Sequence, residues 1–189
     1  MKITKKVMGY VSTNSYLLEK DGKGIWIDPC LNPGSDAQPL LEASKDVDIV
    51  GILLTHGHFD HISAVDTLVK HFACPVYIHE KEIPYLKDPH LNLSAQTPET
   101  LIVESEVIGL SEGYYTIEPF TFQVYHTPGH TPFSVSYLFD DKHLFDGDFI
   151  FAGSIGRVDF VGGSAEEMCE GVRRLYQILE QNLEETIVY

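Results

Sequence analysis

The sequence is poor in cysteine and short of positive charge. Its three cysteines, Cys30, Cys74 and Cys169, are scattered, odd in number and form no C-x-x-C pair. That excludes a disulfide framework and marks them as reduced, mostly buried small side chains. Lys and Arg total 13 against 28 Asp and Glu, a formal net charge of −15. Phosphate backbones and anionic membranes repel such a chain, so neither nucleic acid nor a membrane is an expected partner. The adjacent basic pairs at 5–6 and 173–174 are too few to override this. No uninterrupted apolar run approaches the roughly 18 residues that span a bilayer. The N-terminal stretch "MKITKKVMGYVSTNSY" has basic residues but no apolar segment of signal-peptide type, so the cytoplasm is the expected compartment. There is no G-x-S-x-G elbow to present a nucleophilic serine.

What the sequence does contain is a folded domain's worth of apolar residues, 43% of 189 positions. This predicts one domain over 1–189 with a proper core. "NSYLLEK" and "GIWIDP", joined through "DGKG", read as a hairpin. "SDAQPLLEASK" reads as a short helix with Pro39 in its first turn. "DIVGILLT" is a strand-length apolar run that looks buried on both faces. Ile62, Val65, Leu68, Val69 and Phe72 recur at helical spacing and predict one helix starting near Asp60. "CPVYIH" reads as a strand and "EKEIPYL" as a short helix, whereas 87–113 show no clean period and read as a long ordered loop with short helical pieces. The segments "YYTI", "FTFQVYHT", "FSVSYLFD" and "KHLFDGDFIF" are strand-like. Ser164 and Glu167 form a capping box for a helix with Met168, Val172, Leu175 and Leu179 on one face. The closing "TIVY" begins another strand. Strand-rich halves with interspersed helices predict a two-layered β core covered by helices.

The chemistry concentrates in "LLTHGHFDHIS", residues 53–63, where His56, His58, Asp60 and His61 fall within six positions. Imidazoles and carboxylates follow an apolar run badly unless something satisfies their polar atoms. His56 and His58, two apart on extended chain, point to one side. Asp60 and His61 open a helix and turn back from another angle. One short segment thus presents ligands in two directions, which suits two metal ions a few ångströms apart. Gly57 is expected to let the backbone bend between the two histidines. Asp60 at a helix start is also placed to accept from backbone N–H groups.

Taken with "HTPGHT" some 70 residues on and then "DGDFIFAGSIGRVDF", this segment resembles the metallo-β-lactamase superfamily, and within it the short glyoxalase II-like hydrolases. The resemblance runs over nearly the whole chain. It implies an α/β fold, the αββα four-layer sandwich of two mixed β-sheets flanked by helices. It implies a first metal on His56, His58 and His130, a second on Asp60 and His61, and Asp148 bridging both. Zinc, as one or two ions, is the implied cofactor, with iron or manganese as the other choices. Imidazole and carboxylate without thiolate suit all three. Asp60 is the implied catalytic group, orienting an attacking hydroxide or moving a proton. Asp28, in "IWIDP", is implied to orient a ligand histidine; a plain turn aspartate before Pro29 is the other reading. Arg157 and Asp159 form an internal ion pair at the site rim or touch substrate. His126 is expected to pack or to support a ligand, and His71, His79, His90 and His143 to lie apart from the metals. The family pattern adds one more histidine beyond a stretch like "TIVY"; this sequence ends at Tyr189, so the domain reads as incomplete there, with a weaker second site. The C-terminal helical domain with which longer glyoxalase II enzymes hold glutathione is likewise not seen.

The implied activity is hydrolysis of a small-molecule thioester such as an acyl-glutathione. Two other readings stand beside it. Persulfide dioxygenases share the fold and use one iron on residues resembling His56, His130 and Asp148. A metal-binding protein with little activity is the third. The oligomeric state is not legible.

Overall fold

The computed structural model describes residues 1–31, 34–180 and 184–189. They divide into two compact units: Met1–Leu110 with Ile117–Pro119, and Ser111–Thr116 with Phe120–Tyr189.

The first unit holds a mixed six-stranded sheet in the order β1-β2-β3-β4-β5-β6. Strands β1 (Lys2–Met8), β2 (Thr13–Lys20) and β3 (Lys23–Ile27) are antiparallel neighbours. The β2–β3 hairpin closes on the Lys20↔Lys23 pair, with Asp21 and Gly22 both at positive φ, the backbone a two-residue I′ turn requires. Then β4 (Asp48–Leu53), β5 (Val76–His79) and β6 (Val107–Leu110) add in parallel. Between them run α1 (Gln38–Ala43), with Pro39 in its first turn, and three further short helices: α2 (Phe59–Ile62), α3 (Val65–Phe72) and α4 (Ile83–Lys87). Leu17, Trp26, Leu40, Ile52, Val65, Leu68 and Val76 belong to its buried core.

Two expectations change here. The helix predicted from Asp60 onward is two helices, α2 and α3. Ala64 N–H donates to Pro29 O (3.1 Å) and the Ser63 hydroxyl accepts from Leu31 N–H (2.9 Å), so the backbone is diverted to the end of β3. Residues 87–113 are not all loop. β6 pairs with β5 in register from Val76↔Val107 to His79↔Leu110, a non-local pairing that local periodicity does not reveal.

The second unit holds a mixed five-stranded sheet in the order β13-β10-β9-β8-β7. Its strands are β7 (Gly113–Ile117), β8 (Phe120–His126), β9 (Val135–Phe139), β10 (His143–Phe145) and β13 (Ile187–Val188). β13 pairs parallel to β10, while β8, β9 and β10 are antiparallel. A two-stranded ribbon, β11 (Ile150–Phe151) and β12 (Ser154–Ile155), follows the "DGD" turn. Helix α5 (Ala165–Leu179) starts at the predicted cap, with the Ser164 side chain accepting from Glu167 N–H at 3.2 Å, but Ser164 N–H donates to Gly129 O (2.8 Å) and not to the Glu167 side chain that a full capping box would use. Met168, Leu175 and Leu179 bury its apolar face beside Tyr125, Leu138, Leu144 and Phe149. Two mixed sheets with helices are thus present, as the resemblance implied. Among the described residues, no helix is long and apolar enough to cross a membrane.

Candidate metal centre

In the first unit the polar cluster forms at the carboxyl ends of the parallel strands, where α/β folds place their ligands. Asp28 directly follows β3 and sits at φ +48, a left-handed conformation that aspartate tolerates better than most residues. Its N–H donates to Leu53 O (3.0 Å), which ties the ends of β3 and β4 together. Its buried carboxylate accepts three hydrogen bonds: from Thr55 N–H (2.8 Å), the Thr55 hydroxyl (2.6 Å) and His61 Nδ1 (2.9 Å).

These contacts assign tautomers. The Thr55 hydroxyl spends its proton on Asp28, so at 3.0 Å it accepts from His56 Nδ1–H. His61 Nδ1–H points at a carboxylate. In both rings the lone pair of the neutral imidazole therefore lies on Nε2, the arrangement in which outer carboxylates and hydroxyls hold metal-binding histidines. The His56 ring lies 4.7 Å from that of His58 and 4.2 Å from that of His61, centroid to centroid. Three buried imidazoles this close are poor packing unless a shared cation or proton joins them.

Asp60 stands at the first turn of α2, and its Oδ2 lies 3.3 Å from His61 Nε2 and 2.8 Å from the Thr13 hydroxyl, which donates to it. Burial pushes the Asp60 carboxyl up; positive charge and hydrogen bonding at His61, the Thr13 hydroxyl and the charge of His58 outweigh that and hold it well below the usual carboxylate range. Two states satisfy the Asp60–His61 pair. Either Nε2 carries a second proton, or neutral Nε2 and the carboxylate share a metal ion. Metal binding would displace that proton.

Gly57 has a different role from the expected bend. Its φ is not positive; instead a Cβ there would collide with Cβ of Tyr85. Its N–H donates to Glu82 Oε2 (3.1 Å), a fully buried carboxylate beneath the His56–His58 turn.

In the second unit, His130 lies in the turn between β8 and β9. Thr127 N–H donates to Ser134 O (2.9 Å) and the Ser134 hydroxyl returns to Thr127 O (2.8 Å), which closes that turn. Gly129 adopts φ +132, and a Cβ on it would meet Met168 Cα at 2.5 Å. His130 Nδ1–H donates to Arg157 O (2.8 Å), so its lone pair is also on Nε2, which lies 3.4 Å from Asp148 Oδ2. Asp148 closes the "DGD" turn, whose Asp146 side chain accepts from Ile150 N–H. Asp148 is half-buried, whereas His130 is buried. Each unit therefore contributes an imidazole Nε2 set against a carboxylate oxygen, a donor set that fits zinc, iron or manganese.

Other residues fall outside these clusters. Arg157 and Asp159 form a bidentate pair (2.9 and 2.7 Å), but it is exposed, not internal, with both side chains 64% accessible. The Arg157 guanidinium stacks over Phe160, whose ring contacts that of His130. His126 Nε2 bonds Pro132 O and its ring stacks on Phe133. His79 Nδ1 caps a helical turn at Lys81 N–H, His143 bonds the Tyr189 hydroxyl and His71 packs on Phe72. Sequence reasoning missed Thr55, Thr13 and Glu82. Only Thr55 carried a local signal, as the residue between an apolar strand and the first histidine.

A family model described as the metallo-beta-lactamase superfamily matches residues 8–188. The chain belongs to the metallo-β-lactamase superfamily. It is 35% identical to the "Probable metallo-hydrolase YqgX" of Bacillus subtilis, over 91% of this chain and 82% of that one. It is 30% identical to the "Hydroxyacylglutathione hydrolase GloC" of Haemophilus influenzae, over 79% and 75%. Among solved structures, BLEG-1 B3 metallo-beta-lactamase superposes with a TM-score of 0.85 at 37% identity, covering 94% of this chain and 87% of that one. TTHA1623 in a di-iron-bound form gives 0.82 at 31%, covering 98% and 90%. ETHE1 from Myxococcus xanthus gives 0.74 at 26%, covering 100% and 74%. Metallo-hydrolase is the activity class that membership and the His/Asp clusters support.

Proposed function

We propose that the protein is a metal-dependent thioester hydrolase acting on acyl-glutathione or a similar small acyl thioester. In this reading, as the resemblance implies, His56, His58 and His130 would hold a first ion and Asp60 and His61 a second, with Asp148 as a further ligand. When bound, such ions supply Lewis acidity that lowers the pKa of water and polarises a carbonyl. The chain's own part is positioning. Asp28 and Thr55 fix the tautomers of His61 and His56, and the Arg157 carbonyl fixes that of His130. Asp60, kept ionised, would orient the attacking water. No serine or cysteine nucleophile is required; burial raises the Cys30 and Cys74 thiols, so both are protonated near neutral pH.

The observation that carries this reading is the shared Nε2 lone-pair arrangement of His56, His61 and His130, with a carboxylate oxygen 3.3 Å from His61 and 3.4 Å from His130. Likeness to GloC supports the thioester class, and the di-iron form of TTHA1623 keeps iron beside zinc as the metal. The test is elemental analysis of the purified protein, followed by a thioester panel with Zn, Mn and Fe added back. Metal-dependent thioester turnover that vanishes in His56→Ala is expected. A protein that retains no metal, or a metal-loaded protein inert to every thioester, overturns the proposal. A second reading, oxidation at one iron held by His56, His130 and Asp148, draws some support from the likeness to ETHE1, no more than the first reading has. Iron content with oxygen uptake on a persulfide decides for that one.

A further inference from the structure

Beside Asp60, within the first unit, lies a cavity of about 350 Å³. The Gly9–Tyr10 turn, Cys30–Leu31, Phe59 with Ser63, and the loop from Ser94 to Leu101 line it. At roughly 30 Å³ per water-sized group, it has room for about ten non-hydrogen atoms. Its wall chemistry is one-sided. Among the described residues lining it there is no lysine, arginine or histidine, whereas Asp60 and Glu99 both face it. Three of its lining hydroxyls are already engaged. Ser63 donates to Cys30 Sγ, Ser94 to Leu101 O, and Thr97 to Ser94 O and Glu99 O. Phe59 N–H is spent on Asn92 O and Leu101 N–H on the Ser94 hydroxyl. An anion entering here meets the Glu99 carboxylate and, among the described lining residues, no cationic side chain to offset its lost water, a costly desolvation. A neutral group meets Phe59, Leu31, Tyr10 and Pro98, and an ammonium group meets compensating charge.

We infer that this cavity is the acyl subsite of the proposed hydrolase, and that it selects short acyl groups that are uncharged or carry an ammonium, and rejects those carrying a second carboxylate. The inference rests on the thioester reading for its chemistry but on the cavity for its selectivity.

Two measurements separate the two. The first is kcat/KM for matched thioesters of one neutral thiol, N-acetylcysteamine, with butyryl, succinyl and 4-aminobutyryl acyl groups. Succinyl should be about tenfold or more slower than butyryl, and 4-aminobutyryl equal or faster. Glu99→Gln should narrow the gap between succinyl and 4-aminobutyryl, and Thr100→Trp, which adds bulk at an exposed lining position, should slow all three. The second needs no turnover: saturation-transfer NMR on the protein with butyramide, succinamate and 4-aminobutyramide. Signal from the neutral and cationic amides that Thr100→Trp abolishes, with none from succinamate, supports the subsite even if no thioester is cleaved. Succinyl hydrolysed as fast as butyryl, or succinamate bound as well as butyramide, overturns it.

Discussion

Replacing Asp28 by Asn isolates the contribution of one buried carboxylate. Asparagine accepts the left-handed backbone at φ +48 nearly as well as aspartate, so strain is not what changes. In the native chain Oδ1 accepts from Thr55 N–H, while Oδ2 accepts from both the Thr55 hydroxyl and His61 Nδ1. The least costly amide orientation keeps its oxygen at the Oδ2 position and turns its NH2 toward Thr55 N–H. One buried N–H then loses its acceptor, a cost of about 1–3 kcal/mol, and the two remaining bonds lose their charge assistance. A total near 3 kcal/mol follows, which for a chain of this size lowers the midpoint by about 6–12 °C. His61 also loses its anionic partner, so affinity for added Zn or Mn should fall about 10–100-fold. Thermal denaturation followed by circular dichroism in chelator reads the first effect, and metal titration of the folded variant at low temperature reads the second. A variant that melts within 1 kcal/mol of the parent, or that binds metal as tightly, refutes the orienting role assigned to Asp28.

Three further outcomes are expected. Gly129→Ala must both hold φ +132 and displace the backbone of α5 at Met168; a loss of about 3 kcal/mol or more in denaturant unfolding is expected, and a loss under 1 kcal/mol contradicts the packing described. Burial raises the Asp66 carboxyl, but hydrogen bonds from the Ser105 hydroxyl and from Glu104 and Ser105 N–H outweigh it and lower its pKa below the usual 3.8. Its contribution is therefore present above that value and lost as pH falls through the folded value, so Asp66→Asn should lower stability near pH 6 by about 1–2 kcal/mol and flatten the acid limb of the stability profile. Cys74, its thiol pushed up to about 11, and buried Cys30 should react slowly with a thiol reagent at pH 7.5, whereas exposed Cys169 reacts fast; three fast thiols in the folded protein contradict this burial.

The elements legible in the sequence are those whose cause is local. The Asp21–Gly22 turn, the Ser164 cap and the apolar run of β4 each depend on a few adjacent residues, and each appears where expected. The break between α2 and α3 was not legible, because the apolar period runs through it and only the acceptor at Pro29 diverts the chain. β6 was missed for the same reason, since its partner lies about thirty residues earlier. Cys169 was expected among the mostly buried thiols and is exposed, because its position on α5 lies off the buried face.

By itself the sequence determined the inventory of donors, histidines and aspartates gathered in three motifs, because ligand chemistry belongs to residue type and close spacing. Tertiary structure alone decided which ring nitrogen carries the proton. That choice depends on acceptors brought from other strands: Asp28 from the end of β3 for His61, Thr55 bridging Asp28 to His56, and the Arg157 carbonyl for His130. Hydrogen bonds between residues about thirty positions apart leave no local pattern to read, and a fold is needed to bring them within 3 Å.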